Sequence, residues 1–383
     1  MDSSKFIDPV PGVSRWKLRW IAWRNRVLSD PGFQDWAARN WLTRRVARRK
    51  AREAFDLVAG FTYTQVLLAM LESGLLERLA KGVCSLADAA ATSGLGEAAA
   101  QRLIKAAAAL DLAQEVGPGI WVLGQRGAAL NSQEGAKAMI RHHKLLYRDL
   151  ADPLALLRQD RAQPTALSEF WRYAARAQAA GELAEAVTPY SQLMAASQAM
   201  VARETLRAYR FDRRRALLDV GGGHGAFVSE VAARYPALRL GVFDLPGVVE
   251  GARARLAALE LAQSVSLHGG DFFRDPLPPG YDCISLVRIL HDHDDDAAMR
   301  LLRATRAALP AGGRLLIAEP MAGTRGAEAM GDAYFGMYLW DMRSGRPRTA
   351  AELGAMLCQA GFTSWRRLPT AQPIVTSAIV AFA

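Results

Sequence analysis

The chain has 383 residues, 51% of them hydrophobic and 22% charged, with a formal net charge of +10. This composition excludes a disordered chain, and the length predicts two domains with room for an extra segment. No apolar run approaches the ~20 residues that cross a bilayer, and there is no charged-then-apolar leader, so we expect a cytoplasmic protein. Cys84, Cys283 and Cys358 lack paired spacing, which argues against disulfides or structural zinc.

Residues 1–53 form a basic, tryptophan-rich extension with 13 Lys and Arg, five acids and five of the nine tryptophans. Trp16, Trp20, Trp23 and Val27 share one face of a predicted helix, and arginines flank them. Tryptophan beside arginine suits peripheral contact with a membrane surface, here the inner membrane. Packing on the protein itself or on a second subunit fits the pattern equally well, and nucleic acid fits it less well.

Residues 54–192 are predicted to be almost all helix. Ser85 caps a short helix, a longer helix covers 97–110, and residues 120–123 fit a small hairpin. Helix, turn, helix and hairpin make up a winged helix, which alone would allow a DNA-binding regulator. The second helix is alanine-rich, with few side chains that read bases. We therefore interpret 54–192 as a winged-helix-like dimerisation domain and expect no nucleic acid partner.

Residues 193–383 alternate between short apolar runs and segments of helical period. This alternation predicts an α/β domain with a Rossmann-like, doubly wound and mostly parallel sheet, in which ligands bind at the carboxyl ends of the strands. We expect the tail from Pro373 to add an antiparallel strand at the sheet edge. The predicted strands are 216–220, 238–243, 265–268, 283–288 and 315–319, and the predicted helices are 227–235, 247–261 and 294–309.

A glycine-rich turn at 221–225 follows the first of these strands. Gly221 and Gly223 let the backbone approach a ligand closely, and the following helix directs amide hydrogens at it. Asp219 ends the strand before the turn. Asp244 ends the next strand, roughly 20 residues further on, where a carboxylate can accept from ribose hydroxyls. Asp271 and Phe272 follow the third strand and are placed to hold an adenine.

Two cofactors fit such a turn. Gly221, Gly223 and Ala226 also satisfy the dinucleotide pattern, but the chain has no clear second mononucleotide half and no obvious hydride-transfer acid. S-adenosylmethionine accounts better for Asp219, because a buried carboxylate there can take the amino group or order water under the methionine end. We therefore predict S-adenosylmethionine as the cofactor.

The stretch His-Asp-His-Asp-Asp-Asp at 291–296 has three interpretations. His291 suits a general base at the end of the fourth strand. His-x-His-x-Asp is also a metal-ligand spacing, and Asp294–Asp296 suit the amino end of a helix. Because the remaining histidines form no second ligand cluster, we favour the base and the helix cap and predict no metal.

Five motifs follow one another in the second half of the chain. They are Asp-Val-Gly-Gly-Gly-His-Gly at 219–225, Val-Phe-Asp-Leu-Pro-Gly-Val-Val at 242–249, Gly-Gly-Asp-Phe-Phe at 269–273, Arg-Ile-Leu-His-Asp-His-Asp-Asp at 288–295 and Ile-Ala-Glu-Pro-Met at 317–321. Taken in this order, they resemble the motifs of the plant-type S-adenosylmethionine-dependent O-methyltransferases and their bacterial relatives. The basic head and the stretches 55–61 and 334–349 resemble a bacterial branch that acts on acyclic 1-hydroxycarotenoids.

The resemblance implies which residues bind the cofactor. Gly221 and its neighbours would hold the methionine end, Asp244 with the adjacent Leu245 the ribose, and Asp271 and Phe272 the adenine. The family also implies a homodimer, in which the helical N-terminal part contacts the partner near its substrate pocket.

It likewise implies the catalytic residues. Arg288 occupies the position of a family lysine that contacts the cofactor. His291 matches the general base, and Asp292 and Glu319 match acids around that base. A further family glutamate, which orients the base, falls at Pro347, so Glu319 is expected to support His291 alone.

We expect the acceptor pocket to be apolar and the enzyme to methylate the 1-hydroxyl of an acyclic carotenoid. An aromatic, quinone or tetrapyrrole acceptor is the alternative within the family, and a winged-helix DNA-binding regulator the alternative outside it. The candidate lining residues are Met194, Met337 and Tyr338, with Met200, Phe335, Trp340 and Met342 in second place.

Overall fold

The computed structural model describes residues 14–171 and 188–383, with side chains from 14 to 171 and from 197 onward. The chain forms two compact units, Met1–Gly124 and Gln125–Ala383. The predicted boundary at 53/54 falls within a continuous helix, Arg44–Glu72, and that at 192/193 within another, Thr188–Ala208. The three-part division 1–53, 54–192 and 193–383 therefore stays a prediction.

The first unit begins with three helices that carry little buried surface. All of α1 lies in the described part of the chain, and none of its residues is buried. The five tryptophans of the extension are each at least 45% exposed. The elements of this unit are α1 (Arg15–Ser29), α2 (Pro31–Arg39), α3 (Arg44–Glu72), α4 (Leu75–Ala80), β1 (Cys84–Ser85), α5 (Leu86–Ser93), α6 (Glu97–Ala109), β2 (Ala113–Gly117) and β3 (Ile120–Leu123).

Helix α3 changes character along its length. Its first half is basic and its second half apolar, and Leu68, Met70 and Leu71 near its end are buried. By length and composition alone it could cross a membrane, with 17% of the apolar window buried. The search of the sequence for uninterrupted apolar runs did not single out this helix. Length and composition are weak grounds for a span, because core helices and signal sequences meet the same test.

The rest of the first unit follows the predicted order of helix, turn, helix and hairpin. Ser85 caps α5 through a reciprocal capping box with Asp88, as its position before the helix predicted. Strands β2 and β3 pair as an antiparallel hairpin, and β1 joins β3. Helix α6 turns Ala100, Ile104 and Ala107 into the core around Trp121, which is fully buried.

The second unit contains a seven-stranded sheet in the order β6-β5-β4-β7-β8-β10-β9. Pairing is parallel from β6 to β8, and helices cover both faces, which confirms the predicted α/β, doubly wound fold. The strands are β4 (Ala216–Val220), β5 (Arg239–Asp244), β6 (Val265–Gly269), β7 (Cys283–Val287), β8 (Arg314–Glu319), β9 (Ser364–Leu368) and β10 (Ser377–Phe382).

The predicted helices of this unit are found within a few residues of their predicted ends. Two shorter helical turns matter for the site, a 3-10 turn at Leu290–Asp292 and a π-helical turn at Ala329–Phe335. The α-helices are α7 (Gln125–Asn131), α8 (Glu134–Asp149), α9 (Pro153–Arg158), α10 (Thr188–Ala208), α11 (Ala226–Arg234), α12 (Pro246–Ala258), α13 (Asp295–Ala308), α14 (Gly336–Asp341) and α15 (Ala350–Gln359).

The tail strand is antiparallel, as predicted, but it is not the edge. Strand β10 inserts between β8 and β9, so β9 forms the edge. The exposed side chains of β9 give it a weak apolar pattern, which explains why sequence reasoning missed it. The five parallel strands β4, β5, β6, β7 and β8 still end at one edge of the sheet, and the candidate site lies there.

Candidate active site

The glycine turn between β4 and α11 is built so that backbone surrounds an open space. Gly221, Gly223 and Gly225 all have positive φ, from 55° to 74°, a conformation that costs an L-residue roughly 1–2 kcal/mol. The Gly221 N–H donates to Phe243 O at 2.8 Å, which ties the turn to β5. A Cβ on Gly221 would lie 2.5 Å from Ile289 Cδ1, whereas one on Gly223 would meet nothing within 4 Å.

Asp219 lies behind this turn, 2% exposed. Its Oδ1 accepts the Ser285 hydroxyl at 2.6 Å. A Cβ on Gly222 would lie 2.8 Å from Asp219 Oδ2, so the carboxylate packs directly under the turn. Burial raises the pKa of Asp219 to about 7, although the Ser285 hydrogen bond opposes the shift.

Asp244 lies at the end of β5 and is bonded to the turn. Its Oδ2 accepts Gly223 N–H at 2.8 Å, and its Oδ1 accepts Leu245 N–H at 2.7 Å. Burial raises the pKa of Asp244, and these two backbone hydrogen bonds partly oppose the rise. The carboxylate therefore shapes the turn even without a ligand, and each oxygen keeps a lone pair for a further donor.

Asp271 and Phe272 follow β6 as predicted. Asp271 Oδ1 accepts Phe273 N–H at 2.9 Å, which folds the segment into a local turn. The half-buried Phe272 ring lies edge-on to Phe273 and to His293, with centroids 4.6 and 5.7 Å away. An aromatic ring is therefore present at the strand ends where an adenine was expected.

His291 occupies the 3-10 turn after β7 and is 2% exposed. Its Nε2 lies 3.2 Å from Asp292 Oδ1, and its Nδ1 lies 3.4 Å from Glu319 Oε2. Glu319, fully buried at the end of β8, also accepts the His291 backbone N–H at 3.1 Å. In the described part of the chain, His291 Nδ1 and Glu319 Oε1 have no hydrogen-bond partner, so the contact is close but not aligned.

The electrostatics of this pocket favour a charged imidazole. Burial by itself lowers the pKa of His291, but Asp292 and Glu319 outweigh it, and the net effect is a raised pKa. The Arg288 guanidinium acts in the opposite direction. A buried imidazole that can hold a proton between two carboxylates is suited to general acid–base work.

Arg288, at the end of β7, adopts an unusual backbone conformation with φ +59°. Its N–H donates to Ala318 O at 2.8 Å, and its Nη1 donates to the Ser197 hydroxyl at 2.8 Å. Positive φ at a non-glycine residue is uncommon and is concentrated at functional sites. This kink lies at the point where the chain leaves the sheet and enters the turn of His291.

Aromatic side chains form a cluster next to His291. Phe335 lies edge-on to the imidazole, with centroids 5.9 Å apart. Tyr338 is 4% exposed, and its hydroxyl lies 2.9 Å from His142 Nε2 and accepts Trp171 Nε1–H at 3.1 Å. The Tyr334 hydroxyl similarly lies 2.7 Å from the Nε2 of His143 on α8.

His142 and His143 were not singled out by sequence reasoning. Burial lowers the pKa of both, that of His142 to about 4, so both rings are neutral near pH 7. Only their spacing, two adjacent histidines on one amphipathic helix, marked them in the sequence. Tyr338 and Tyr334, with which they pair, lie nearly 200 residues away in the chain. No local sequence pattern reveals such a pairing.

Of the other predicted lining residues, two lie near the aromatic cluster and one lies elsewhere. Met337 is half-buried on α14, and Met342 packs with the Tyr338 cluster. Met200 instead lines a separate cavity beside Arg203 and Gln372. The side chain of Met194 lies outside the described residues.

The acidic stretch after His293 lies at the amino end of α13, as predicted, with Asp295 and Asp296 in the first turn of the helix. Asp294 is the N-cap residue of α13, but its side chain makes no cap bond and accepts Gly345 N–H at 3.0 Å instead. Asp295 pairs with Arg346 and Arg348. Among the described residues, no three His, Cys, Asp or Glu side chains gather as a metal-binding group.

The family model for the O-methyltransferase domain matches residues 147–363. The chain belongs to this family and is an S-adenosylmethionine-dependent O-methyltransferase.

Among its relatives are two proteins named demethylspheroidene O-methyltransferase. That of Cereibacter sphaeroides is 42% identical over 93% of this chain and 93% of its own length. That of Rhodobacter capsulatus is 44% identical over 89% of this chain and 84% of its own length. The solved, SAH-bound structure of CalO1, a methyltransferase in calicheamicin biosynthesis, matches with a TM-score of 0.72 and 28% identity, covering 87% of this chain and 98% of that one.

The residues at the sheet edge fit this cofactor. The open space at Gly223, the Ile289 side chain against Gly221, the buried Asp219 and the half-buried Asp244 form a cradle that side chains would otherwise fill. Gly221 and Gly223 would hold the methionine end, Asp244 the ribose and Phe272 the adenine. We keep these assignments as predictions.

The first testable prediction concerns Gly221. We expect Gly221→Ala to weaken S-adenosylhomocysteine binding at least about tenfold, because roughly 1–2 kcal/mol of backbone strain and a clash with Ile289 displace the turn. Isothermal titration calorimetry measures the affinity. Gly326→Ala is the control, since Gly326 also has positive φ, +79°, but has open space around it. Equal affinities in the two variants would contradict the assignment.

Proposed function

We propose that the chain methylates the tertiary 1-hydroxyl group of an acyclic carotenoid, with His291 as the general base. The observation that carries the proposal is a buried imidazole held between Asp292 and Glu319 and faced by the ring of Phe335. The two relatives named demethylspheroidene O-methyltransferase support the acceptor class. The ring of Phe335 gives the proposed site an apolar surface beside His291, which suits a long hydrocarbon with one hydroxyl group.

When bound, S-adenosylmethionine supplies an electrophilic methyl group. The protein has to place the acceptor oxygen in line with that group and remove the hydroxyl proton. The Nε2 of His291 is the atom that takes this proton, after the substrate hydroxyl displaces Asp292 Oδ1. The Asp292 side chain is 40% exposed and can turn toward solvent. Glu319, next to Nδ1, then stabilises the imidazolium that forms.

A tertiary alcohol makes the timing of this proton transfer decisive. A phenol loses its proton readily, whereas an alkyl alcohol is far less acidic than an imidazolium. Proton removal must therefore accompany formation of the new carbon–oxygen bond. Glu319, which stays next to Nδ1 and raises the pKa of His291, makes the imidazole a stronger base for this purpose, which a phenol would not require.

The second prediction tests the acceptor and the base together. Wild-type enzyme should transfer labelled methyl from S-adenosylmethionine to a 1-hydroxycarotenoid in detergent, read by mass spectrometry of the extracted pigment. His291→Ala should lower kcat at least about 100-fold, the usual contribution of a general base, with unchanged S-adenosylhomocysteine affinity. A phenol, hydroquinone or tetrapyrrole methylated faster than the carotenoid would overturn the acceptor, and an active His291→Ala would overturn the base.

The third prediction concerns pH. Because His291 must be neutral to accept a proton and its pKa is raised, kcat should rise with pH and reach half its maximum above pH 6.5. Glu319→Gln removes one of the carboxylates that raise this pKa, so the rise should move to lower pH. A profile in Glu319→Gln that coincides with that of the wild type would contradict the pairing of His291 with Glu319.

We further propose that the first unit mediates both a homodimer and peripheral membrane contact. On α3, Phe55, Leu57, Val58 and Phe61 are 60–89% exposed, which is an unusual display of apolar side chains on a folded unit. On α1, Trp16, Trp20 and Trp23 are exposed among arginines. Apolar side chains alone suit a second copy of the chain, whereas tryptophan with arginine suits anionic lipid at the inner membrane surface.

The fourth prediction separates these two contacts. Replacing Trp16, Trp20 and Trp23 by Gln should abolish flotation with anionic vesicles while leaving the mass from light scattering at that of a dimer. The matched control replaces Leu259 and Ile374, which are 48% and 64% exposed in the second unit, by Gln and should float as the wild type does. Undiminished flotation of the tryptophan variant excludes the membrane role of α1. A monomeric mass of the wild-type protein excludes the dimer.

A further inference from the structure

The segment 345–348, which we call the clasp, lies against the turn that carries His291. Gly345 N–H donates to Asp294 Oδ1 at 3.0 Å, and Arg346 N–H donates to His291 O at 2.9 Å. Gly345 has φ +74°, and a Cβ there would collide with the carbonyl oxygen of His291. The clasp therefore touches the backbone of the base itself.

Arg348 is the buried centre of the clasp, with no exposed surface. Its Nη1 donates to Leu290 O at 2.8 Å, and its Nη2 donates to His293 O at 2.7 Å. These two carbonyls lie on either side of His291. Its Nε donates to Asp295 Oδ1 at 2.9 Å, at the start of α13. One guanidinium thus holds both ends of the turn and the helix that follows.

The same residue is also joined to the strand that carries Glu319. Ala322 N–H donates to Arg348 O at 3.0 Å, a few residues after β8 ends. The backbone of Arg348 is thus fixed by the segment following Glu319, and its side chain by the turn of His291. It connects the two partners of the acid–base pair.

The chemistry of the guanidinium explains why this position needs arginine. Burying a cation is costly unless hydrogen bonds satisfy its donors, and a planar fork reaches two separate carbonyls where an ammonium offers one point charge. The preceding residue, Pro347, has no side-chain group that could accept a hydrogen bond from His291. Arg348 instead holds the backbone of the turn that carries His291.

We propose that Arg348 is a positioning residue that sets the approach of His291 to Glu319. The proposal rests on the proposed role of His291 as the base. The present contact of 3.4 Å between Nδ1 and Oε2 is short enough for a carboxylate to raise the imidazole pKa. It is also loose enough that a small shift of the turn would break it. Misplacement of a catalytic group by about 1 Å can cost about 100-fold in rate.

The test is a double-mutant cycle between Arg348 and Glu319. Arg348→Ala and Arg348→Lys should each lower kcat about 10- to 100-fold, leave S-adenosylhomocysteine affinity within about twofold, and move the rise of kcat to lower pH, as Glu319→Gln does. In the Glu319→Gln background the same changes should add little. Arg348→Lys keeps the buried charge and is the variant to use if Arg348→Ala fails to fold.

Arg306→Ala is the control, because Arg306 Nε also donates to a backbone carbonyl, that of Gly361 at 2.8 Å, away from the site. It should leave kcat and the pH profile unchanged. Additive effects of Arg348 and Glu319 changes, a parallel loss of S-adenosylhomocysteine affinity, or wild-type kcat in Arg348→Lys would each overturn the positioning role alone. Full activity of His291→Ala would overturn this role and the proposed base together.

Discussion

Parallel pairing of β4, β5, β7 and β8 is the constraint on which the site depends. Because all four strands end at the same edge, residues up to 100 positions apart in the chain become neighbours without any local signal between them. Each end supplies one component: Asp219 under the glycine turn, Asp244 bonded to that turn, His291 in the turn after β7, and Glu319. The proposed cofactor side and the proposed base side of the site are thus two halves of one sheet edge.

The electrostatics at this edge are a balance between burial and carboxylates. Asp219 and Asp244 both have raised pKa values because burial penalises their charge. His291 is equally buried, yet its pKa is raised rather than lowered because Asp292 and Glu319 favour the imidazolium. This balance suits the role proposed for His291, that of a base for an acceptor that gives up its proton reluctantly. That balance requires the turn of His291 to stay in place. Arg348 fixes this turn by hydrogen bonds to its backbone carbonyls, where a further carboxylate would act on the imidazole itself.

The two units have different surfaces. The sheet of the second unit is covered by helices on both faces, whereas α1 and the middle of α3 in the first unit expose tryptophan, phenylalanine and leucine among arginines. Apolar side chains that stay in water do not stabilise the fold, and large exposed groups of them mark interaction sites. We therefore expect a partner surface to cover them. Under the membrane contact proposed for α1, the enzyme would meet a membrane-dissolved polyene at the lipid surface.

Local sequence was sufficient for the elements whose pattern is contained in a few residues. The parallel strands, the glycine turn, the Ser85 cap and the acids that end strands were predicted within one or two positions, because apolar runs, glycines and caps act on their own neighbours. The pairing of His291 with Glu319 followed only from the family resemblance. The tertiary structure decided the position of β9, the pairing of His142 and His143 with tyrosines, the kink at Arg288 and the clasp of Arg348. Each of these depends on backbone carbonyls or side chains that come from distant segments, and their contact is created by packing rather than by any pattern along the chain.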